Sequence, residues 1–398
     1  MKTSTTFITA IVLIAILFGC REKYIPPQIA ANANYLVVDG VIASNDTTVI
    51  KLSRTTKLSN GAVAQAEAGA KVTVESDANA SYVIKETKTK GTYSSGAPLV
   101  LNPTAKYRLR IITNTNTHAT YLSDFVPVKD SPPIDSIGYS LPTNGLHIYA
   151  NAHDATGNTR YYRWSYVETW NFHANFDSEY IETYNRWINF RTLAQGIFSC
   201  WASNASTDVV LASSAKLTQD VIYQAPITIV PSPSQKISVK YSILVKQYAL
   251  TQDAFNFWQL LKKNTEQLGS IFDAQPSSIT GNIHNIADNT EPVLGYISAG
   301  SVQQKRIFVD NTVLPTGWGR ENPLPGCAID SLYPIYPPIP PPPPGALTVT
   351  QIYYNAYLAL TPNVPKPGDT TFWFGARPAC ADCTLKGTNK KPFFWPPI

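Results

Sequence analysis

The sequence predicts a mainly β protein built as an N-terminal β-sandwich of transthyretin-like or Ig-like size and a second β-sandwich-like domain with one inserted α-helix. Three observations predict it. Short runs of Val, Ile, Thr and Tyr recur at intervals of about ten residues, the spacing at which sandwich strands follow one another. The composition agrees: 22 Tyr and only 15% charged residues in 398 positions suit pleated, half-buried surfaces better than solvated helices. Gly, Pro and Asn punctuate the runs, and one stretch alone carries strong helical spacing.

The chain opens with Lys2, an almost unbroken apolar run from Phe7 to Phe18, and Leu17-Phe18-Gly19-Cys20. That run is too short to cross a bilayer as a helix, so residues 1–19 read as a secretory signal. A small residue before Cys20 is the pattern of lipoprotein processing, which makes Cys20 the expected acylated N-terminus of the mature chain. Several acyl chains hold a protein on a membrane where one chain holds it marginally. Residues 20–34, with Pro26 and Pro27, form the lipidated tether.

Residues 35–129 supply the first sandwich. "YLVVDGVI" is apolar and β-branched, "TTVIKLSRT" and "AKVTVES" alternate, and "SYVIKET", "YRLRII" and "ATYLSDFVPV" complete the set. Asn60-Gly61 marks a turn, and Gly91 separates another pair of strands. The boundary falls at "KDSPPIDS", where two prolines sit among polar residues. Residues 134–398 then give further strands, among them "GLHIYANAHD", "RYYRWSYVETW", "KISVKYSILVKQYAL" and "VLGYISAGSVQQKRIFVD". The helix is expected near 252–268. Thr251 is its N-cap and Asp253 lies in its first turn. Ala254, Phe257, Trp258, Leu261 and Leu268 make a stripe that packs on a sheet, and Gly269 stands at C′. In a proline-rich loop at 333–345, Pro340 to Pro344 must run extended and cannot enter a central strand.

With Cys20 acylated, Cys200, Cys327, Cys380 and Cys383 remain. An even number in an exported chain favours disulfides. Cys380-Ala-Asp-Cys383 could instead be half of a metal site or a redox pair, but a zinc ribbon needs a second close pair and a thioredoxin-like centre needs a βαβ setting. Four cysteines allow three pairings. Bonding of Cys380 or Cys383 to Cys200 or Cys327 is favoured over a local ring, because a ring of a few residues removes ~2 kcal/mol of unfolded-state entropy and a loop of more than fifty ~4 kcal/mol.

No motif demands chemistry. The G-x-S-x-G elbow, H-E-x-x-H, the phosphate-cradling loop and the dinucleotide fingerprint are absent from the sequence, and no catalytic residue is assigned. A net charge of +5 with scattered basic residues offers no stripe for nucleic acid. His147 and His153 fall on one face of a strand, but at ~3.3 Å per residue they stand ~20 Å apart, too far to share an ion. No metal and no cofactor are expected.

A binding surface is the better candidate. From Tyr161 to Phe190 aromatic residues crowd the chain, and beyond Glu168 their alternation decays while they continue. Trp170, Phe172, Phe176, Tyr180, Tyr184 and Trp187 there could line a contact surface or fill a second small core; long excursions often bind, and Tyr, Trp and Arg are enriched at contact centres.

The leader, "LVVDGVI", the block "KYSILVKQYALTQDAFNFWQLLKKNTEQLGSIFDAQPSSITGNIHN", "VLGYISAGSVQQKRIFV" and the terminal "CADCTLKGTNKKPFFW" together resemble the Bacteroidota lipoproteins grouped as domain of unknown function 4249. That resemblance implies a place beside a TonB-dependent outer-membrane transporter, a β-barrel partner; with the leader it gives an expected outer-membrane, lipid-anchored address, at the cell surface in preference to the periplasmic face, which stays open. The expected role is that of a non-catalytic accessory or substrate-binding partner; the alternatives are a stand-alone surface glycan- or peptide-binding module and an exported hydrolase of unrecognised type. Asp-Ser/Thr sequences at Thr47, Ser136, Ser331 and Thr370 also resemble O-glycosylation sites of exported Bacteroidota proteins, which would require those hydroxyls to be exposed.

Overall fold

A computed structural model describes residues 34–56, 64–115, 118–183, 187–266, 281–319, 326–333, 346–353, 356–363 and 372–397. The leader, Cys20, most of the tether, Asn60-Gly61, Tyr184, Leu268, Gly269, the proline tract and Thr370 lie outside these residues.

The first nine strands are β1 (Leu36–Ala43), β2 (Thr47–Arg54), β3 (Gln65–Ala66), β4 (Lys71–Ser76), β5 (Ser81–Glu86), β6 (Thr92–Pro98), β7 (Lys106–Ile112), β8 (Thr120–Ser123) and β9 (Val126–Lys129). Next come β10 (Ile134–Ser140), β11 (Gly145–His153), β12 (Tyr161–His173), β13 (Tyr180–Thr183), β14 (Trp187–Phe190), β15 (Ser199–Ala205), β16 (Val210–Ser213), β17 (Val221–Pro231) and β18 (Lys240–Ala249). Helix α1 (Gln252–Glu266) precedes β19 (Ile283–Asn285), β20 (Ser298–Gly300), β21 (Val302–Asp310) and β22 (Asp330–Leu332). The chain closes with α2 (Thr350–Tyr353), β23 (Leu358–Asn363), β24 (Phe372–Ala376) and α3 (Pro378–Ala381). The fold is mainly β, as the spacing of apolar runs predicts.

The first sheet closes on itself in the order β7-β4-β5-β6-β2-β1-β20-β9 and back to β7. Alternation decides which side chains face inward: Leu36, Val38, Ile50, Leu52, Val72, Val74, Leu109 and Ile111 are buried in one core. One member of the ring comes from far away in sequence. Residues 281–300, placed by sequence order in the second domain, belong spatially to the first: β20 runs parallel to both β1 and β9, and Ile283, Val293 and Ile297 join its core. Two glycines let this segment approach. A Cβ at Gly300 would meet the Lys129 carbonyl oxygen at 1.9 Å, and one at Gly295, where φ is +147°, would meet that of Val38 at 2.2 Å.

The run "VLGYISAGSVQQKRIFVD" is therefore two strands, β20 in the barrel and β21 in the sandwich, broken at Ser301. Beside it the chain crosses from β9 to β10. The two crossings are tied together, with Ser131 N donating to Ser301 Oγ at 2.8 Å and Gln247 Nε2 to the Pro132 carbonyl at 2.7 Å.

The second body is a sandwich of β10-β11-β17 against β15-β12-β18-β21, with β16 also paired to β12. Along β12, Tyr162, Trp164 and Tyr166 point into the core, where Leu146, Ile148, Ile222, Tyr241 and Ile243 meet them. Their polar atoms find partners: Tyr162 OH donates to Asp220 at 2.9 Å and Trp164 Nε1 to Gln247 Oε1 at 3.1 Å. Glu168 is also buried, and it accepts from Lys236 Nζ at 2.6 Å and Tyr241 OH at 2.9 Å. Burial and that carboxylate hold the Tyr241 phenol well above its ordinary range.

Helix α1 covers the opposite face of the larger sheet. Thr251 Oγ1 accepts from Ala254 N at 3.2 Å, capping its first turn. Ala254, Phe255, Phe257 and Trp258 are buried with Val209 and Leu250, and burying Phe257 alone contributes roughly 2 kcal/mol. Beyond the sandwich, β22-β24-β23 and the hairpin β13-β14 form a small terminal layer around Leu332, Val349, Ile352, Tyr357 and Ala359.

Candidate binding surface at the stapled end

The cysteines resolve first. Cys200 is bonded to Cys383 and Cys327 to Cys380, each with Cα atoms 5.7 Å apart. Both tail cysteines therefore tie the C-terminus to the body, and neither remains free as a metal ligand or nucleophile. Backbone bonds continue the fastening: Asn175 N and Phe176 N donate to the Cys380 carbonyl at 2.9 and 3.1 Å, Cys383 N to Ile197 at 2.9 Å, and Trp201 and Thr388 exchange bonds of 2.8 and 2.9 Å. Gly387 fits because a Cβ there would meet the Trp201 carbonyl oxygen at 2.5 Å. Trp395 is buried against Trp201 and Phe308, and Arg306 lies 3.7 Å from the Phe394 ring centre.

The frame so fixed relocates the aromatic residues expected at a binding surface. Phe172, 1% exposed, packs on the Cys200–Cys383 bridge, so it serves the core and cannot contact a partner. Trp170 is half-buried between that cluster and the sandwich core, with Lys236 Nζ 5.3 Å from its ring centre. Phe176 lies against Leu360, Ala376 and Cys380, and Tyr180 packs between Phe190 at 4.3 Å and Trp373 at 5.0 Å. Trp187 stands in β14; the structure does not describe its side chain. Phe172 is thus a core residue, whereas Phe176 and Tyr180 are partly buried against the tail and the terminal sheet. The reason is local: the long strand β12 runs on to His173, so Phe172 faces the Cys200–Cys383 bridge from within it, and beyond it Phe176 and Tyr180 lie against Cys380 and the terminal sheet.

What this end does present is a set of exposed apolar side chains that aromatic counting did not single out. Phe190 is 68% exposed, Leu193 fully so, Leu385 62% and Phe393 99%. Leu193 opens a short turn, Leu193–Gln195, and Asn389 Nδ2 donates to the carbonyls of Ala194 and Gly196 at that turn. Leu385 follows Cys383, whose N–H bonds the Ile197 carbonyl. The turn at 193–195 and the tail from Cys383 to Asn389 thus lie together, while the last aromatic residues run on to Arg306 and Phe308 of β21. The signal in sequence was the neighbourhood of Cys380 and Cys383 to residues near 190, which becomes readable once the pairing is known.

Beneath this rim lies a cavity of about 360 Å³ lined by Tyr180, Ile181, Arg191, Ile197, Tyr357 and Asp382 among others. Among the described residues Arg191 Nε is buried there with no hydrogen-bond partner, and its terminal nitrogens make only long contacts, 3.5 Å to Gln195 O and 3.4 Å to Ser178 Oγ. Burial pulls its guanidinium below its ordinary range, opposed by Asp382 and Asp177. Such a group can take an acceptor from outside the chain.

The remaining candidates are dispersed. His147 bonds Asn144 and His153 bonds Asp135, both at 2.8 Å, and no three metal-ligating side chains converge among the described residues. Thr47 and Ser331 are partly exposed, whereas Ser136 is exposed and its hydroxyl accepts a bond from Asn151 Nδ2 at 2.9 Å. No helix among the described residues is long and apolar enough to cross a membrane.

Comparison with known proteins adds a family. One chain of the solved structure described as "Complete structure of manganese lipoxygenase of Gaeumannomyces graminis and partial structure of zonadhesin of Komagataella pastoris" aligns with 56% of this chain and 91% of its own, at 11% identity and a TM-score of 0.14, too low to carry an argument. No curated protein matches. The family model described as "Domain of unknown function (DUF4249)" matches residues 22–306, a span that runs through the barrel and most of the sandwich and stops before the stapled tail. The chain belongs to the DUF4249 family.

Proposed function

We propose that the protein is an outer-membrane lipoprotein, held by acylated Cys20, that acts as a non-catalytic accessory or substrate-binding partner of a TonB-dependent transporter. The observation that carries this reading is the stapled end: exposed Phe190, Leu193 and Leu385 on a frame locked by two disulfides. Apolar side chains gathered at one end of an exported protein mark a contact surface, and a pre-ordered frame lowers the entropic cost of using it. The leader before Cys20 supports the membrane location.

Affinity purification of the lipoprotein from native membranes tests the reading. A β-barrel transporter should co-purify, and Leu193→Asp with Leu385→Asp should cut its recovery at least tenfold, because charges buried without partners are costly at an interface, while leaving thermal stability unchanged, since both side chains are exposed. Recovery of the protein alone would refute it. The Arg191 cavity favours a second reading, a stand-alone glycan- or peptide-binding module. Hydrolysis of a polymer by the pure protein would favour an exported hydrolase over both.

A further inference from the structure

A different charge, in a different place, is left without a partner. Arg163 stands on β12 opposite Tyr248 of β18, on the face away from the sandwich core and facing the barrel. Its guanidinium lies 3.7 Å from the Trp258 ring centre and 5.5 Å from that of Tyr248. Aromatic contact of this kind uses the flat faces of the group and leaves its edge donors free. No hydrogen bond or ion pair engages them among the described residues. Burial draws the guanidinium below its ordinary range, and Asp39 and then Tyr248 oppose that.

The group opens onto a cleft of about 250 Å³ between the five-stranded sheet and the barrel strands β1 and β2, lined by Asp39, Lys51, Arg163, Ser165, Ser206 and Lys246 among others. Two contacts fix the width of this cleft. Asn45 exchanges bonds of 3.0 and 2.7 Å with the backbone of Val302, and Lys246 pairs with Asp46 at 2.6 Å. Lys246 is thereby neutralised, Ser165 Oγ bonds Tyr248 OH at 3.2 Å, and Ser206 Oγ accepts from Tyr166 N at 2.9 Å. Asp39 and Lys51 stand opposite each other in the β1–β2 register, and neither makes an ion pair among the described residues. Three charged groups, two cationic and one anionic, thus meet at one cleft with their bonding capacity unused.

We infer that this cleft binds a free α-amino acid, its carboxylate on the edge of Arg163 with Lys51 alongside and its ammonium toward Asp39. The planar guanidinium fork matches a carboxylate through two parallel bonds. A lone anion such as phosphate would instead be repelled by Asp39, and a purely cationic ligand by Arg163 and Lys51. The cleft is small enough to enclose a single residue, and its position between two bodies is a common one for small-ligand sites.

Calorimetric titration of the full-length lipoprotein in detergent with each common L-amino acid, and separately with acetate and inorganic phosphate, decides the matter. At least one amino acid should bind, at least tenfold more tightly than acetate or phosphate, and should change the emission of Trp258. Arg163→Lys keeps a cation over Trp258 and so keeps the fold, but it loses the fork and should weaken binding at least tenfold; Asp39→Asn should do the same from an exposed strand position. Absence of amino-acid binding, equal binding of phosphate, or affinity unchanged in both variants overturns the inference. The proposal stands apart from the transporter reading: transporter co-purification can fail with the cleft intact, and amino-acid binding can fail with the stapled end intact.

Discussion

Replacing Cys200 and Cys383 together by Ala probes the longest covalent tie in the molecule. The bridge closes a separation of 183 residues, for which loop entropy gives ~5 kcal/mol, whereas the 53-residue separation of Cys327–Cys380 gives ~4 kcal/mol. Ala is preferred to Ser because both positions are buried and a hydroxyl there would add an unsatisfied polar group, costing about 1–3 kcal/mol on its own. The remaining bridge still closes its own loop, so the expected loss is the long-loop contribution, about 3–5 kcal/mol with native strain neglected. In a chain of this size that corresponds to a fall in Tm of about 4–6 °C. The effect should also be local: residues beyond Cys383 keep the Trp201–Thr388 backbone pair, the Asn389 bonds to the 194–196 turn and the packing of Phe394 and Trp395, and without the bridge these non-covalent contacts open more readily. Denaturant unfolding gives the stability, and limited proteolysis with mass spectrometry locates the first cut. An unchanged midpoint together with a tail still protected from protease would refute the reasoning.

Four further outcomes are expected. Lys236→Met leaves Glu168 buried with Tyr241 OH as its remaining side-chain donor and should cost about 2–3 kcal/mol in denaturant unfolding, less than a fully buried pair because Lys236 is partly solvated. Burial raises the Asp46 carboxyl, but its bonds to Lys246 and Thr47 N outweigh this and hold it below 3.8; its stabilising contribution is complete above the unfolded value and lost as pH falls through the folded one, so Asp46→Asn should lower stability at neutral pH and flatten the acid limb below about pH 4. Cys20→Ala should abolish incorporation of a fatty-acid analogue in the native host, and a labelled mutant would sink the anchoring assignment. Gly300→Val should lower stability by several kcal/mol or prevent folding, since its Cβ would collide with the Lys129 carbonyl; wild-type stability in that variant would contradict the parallel β1–β20–β9 arrangement.

Much of this protein was legible before folding. Alternation in "TTVIKLSRT", "AKVTVES" and "RYYRWSYVETW" determines which side chains turn inward, because successive residues of a strand point to opposite faces, and the buried rows of β2, β4 and β12 follow it. Thr251, Asp253 and the stripe from Ala254 to Trp258 determine a capped amphipathic helix for the same kind of local reason. Long-range tail bonding was also favoured from sequence, since loop entropy depends on separation alone.

Tertiary structure decided what local pattern cannot carry. "VLGYISAGSVQQKRIFVD" reads as one strand, yet its first part closes the barrel and its second part enters the sandwich, because pairing partners are chosen by shape and by the room that Gly295 and Gly300 leave rather than by hydrophobicity. The partner of each cysteine, the burial of Phe172, the partial burial of Phe176, and the exposure of Phe190 and Leu193 all depend on where the tail lands. Arg163 is the plainest case. In sequence it is one more polar residue on the outer face of an alternating strand; in space that face is covered by α1 on one side and by the barrel on the other, and the charge is left at a cleft that exists only because two bodies meet there.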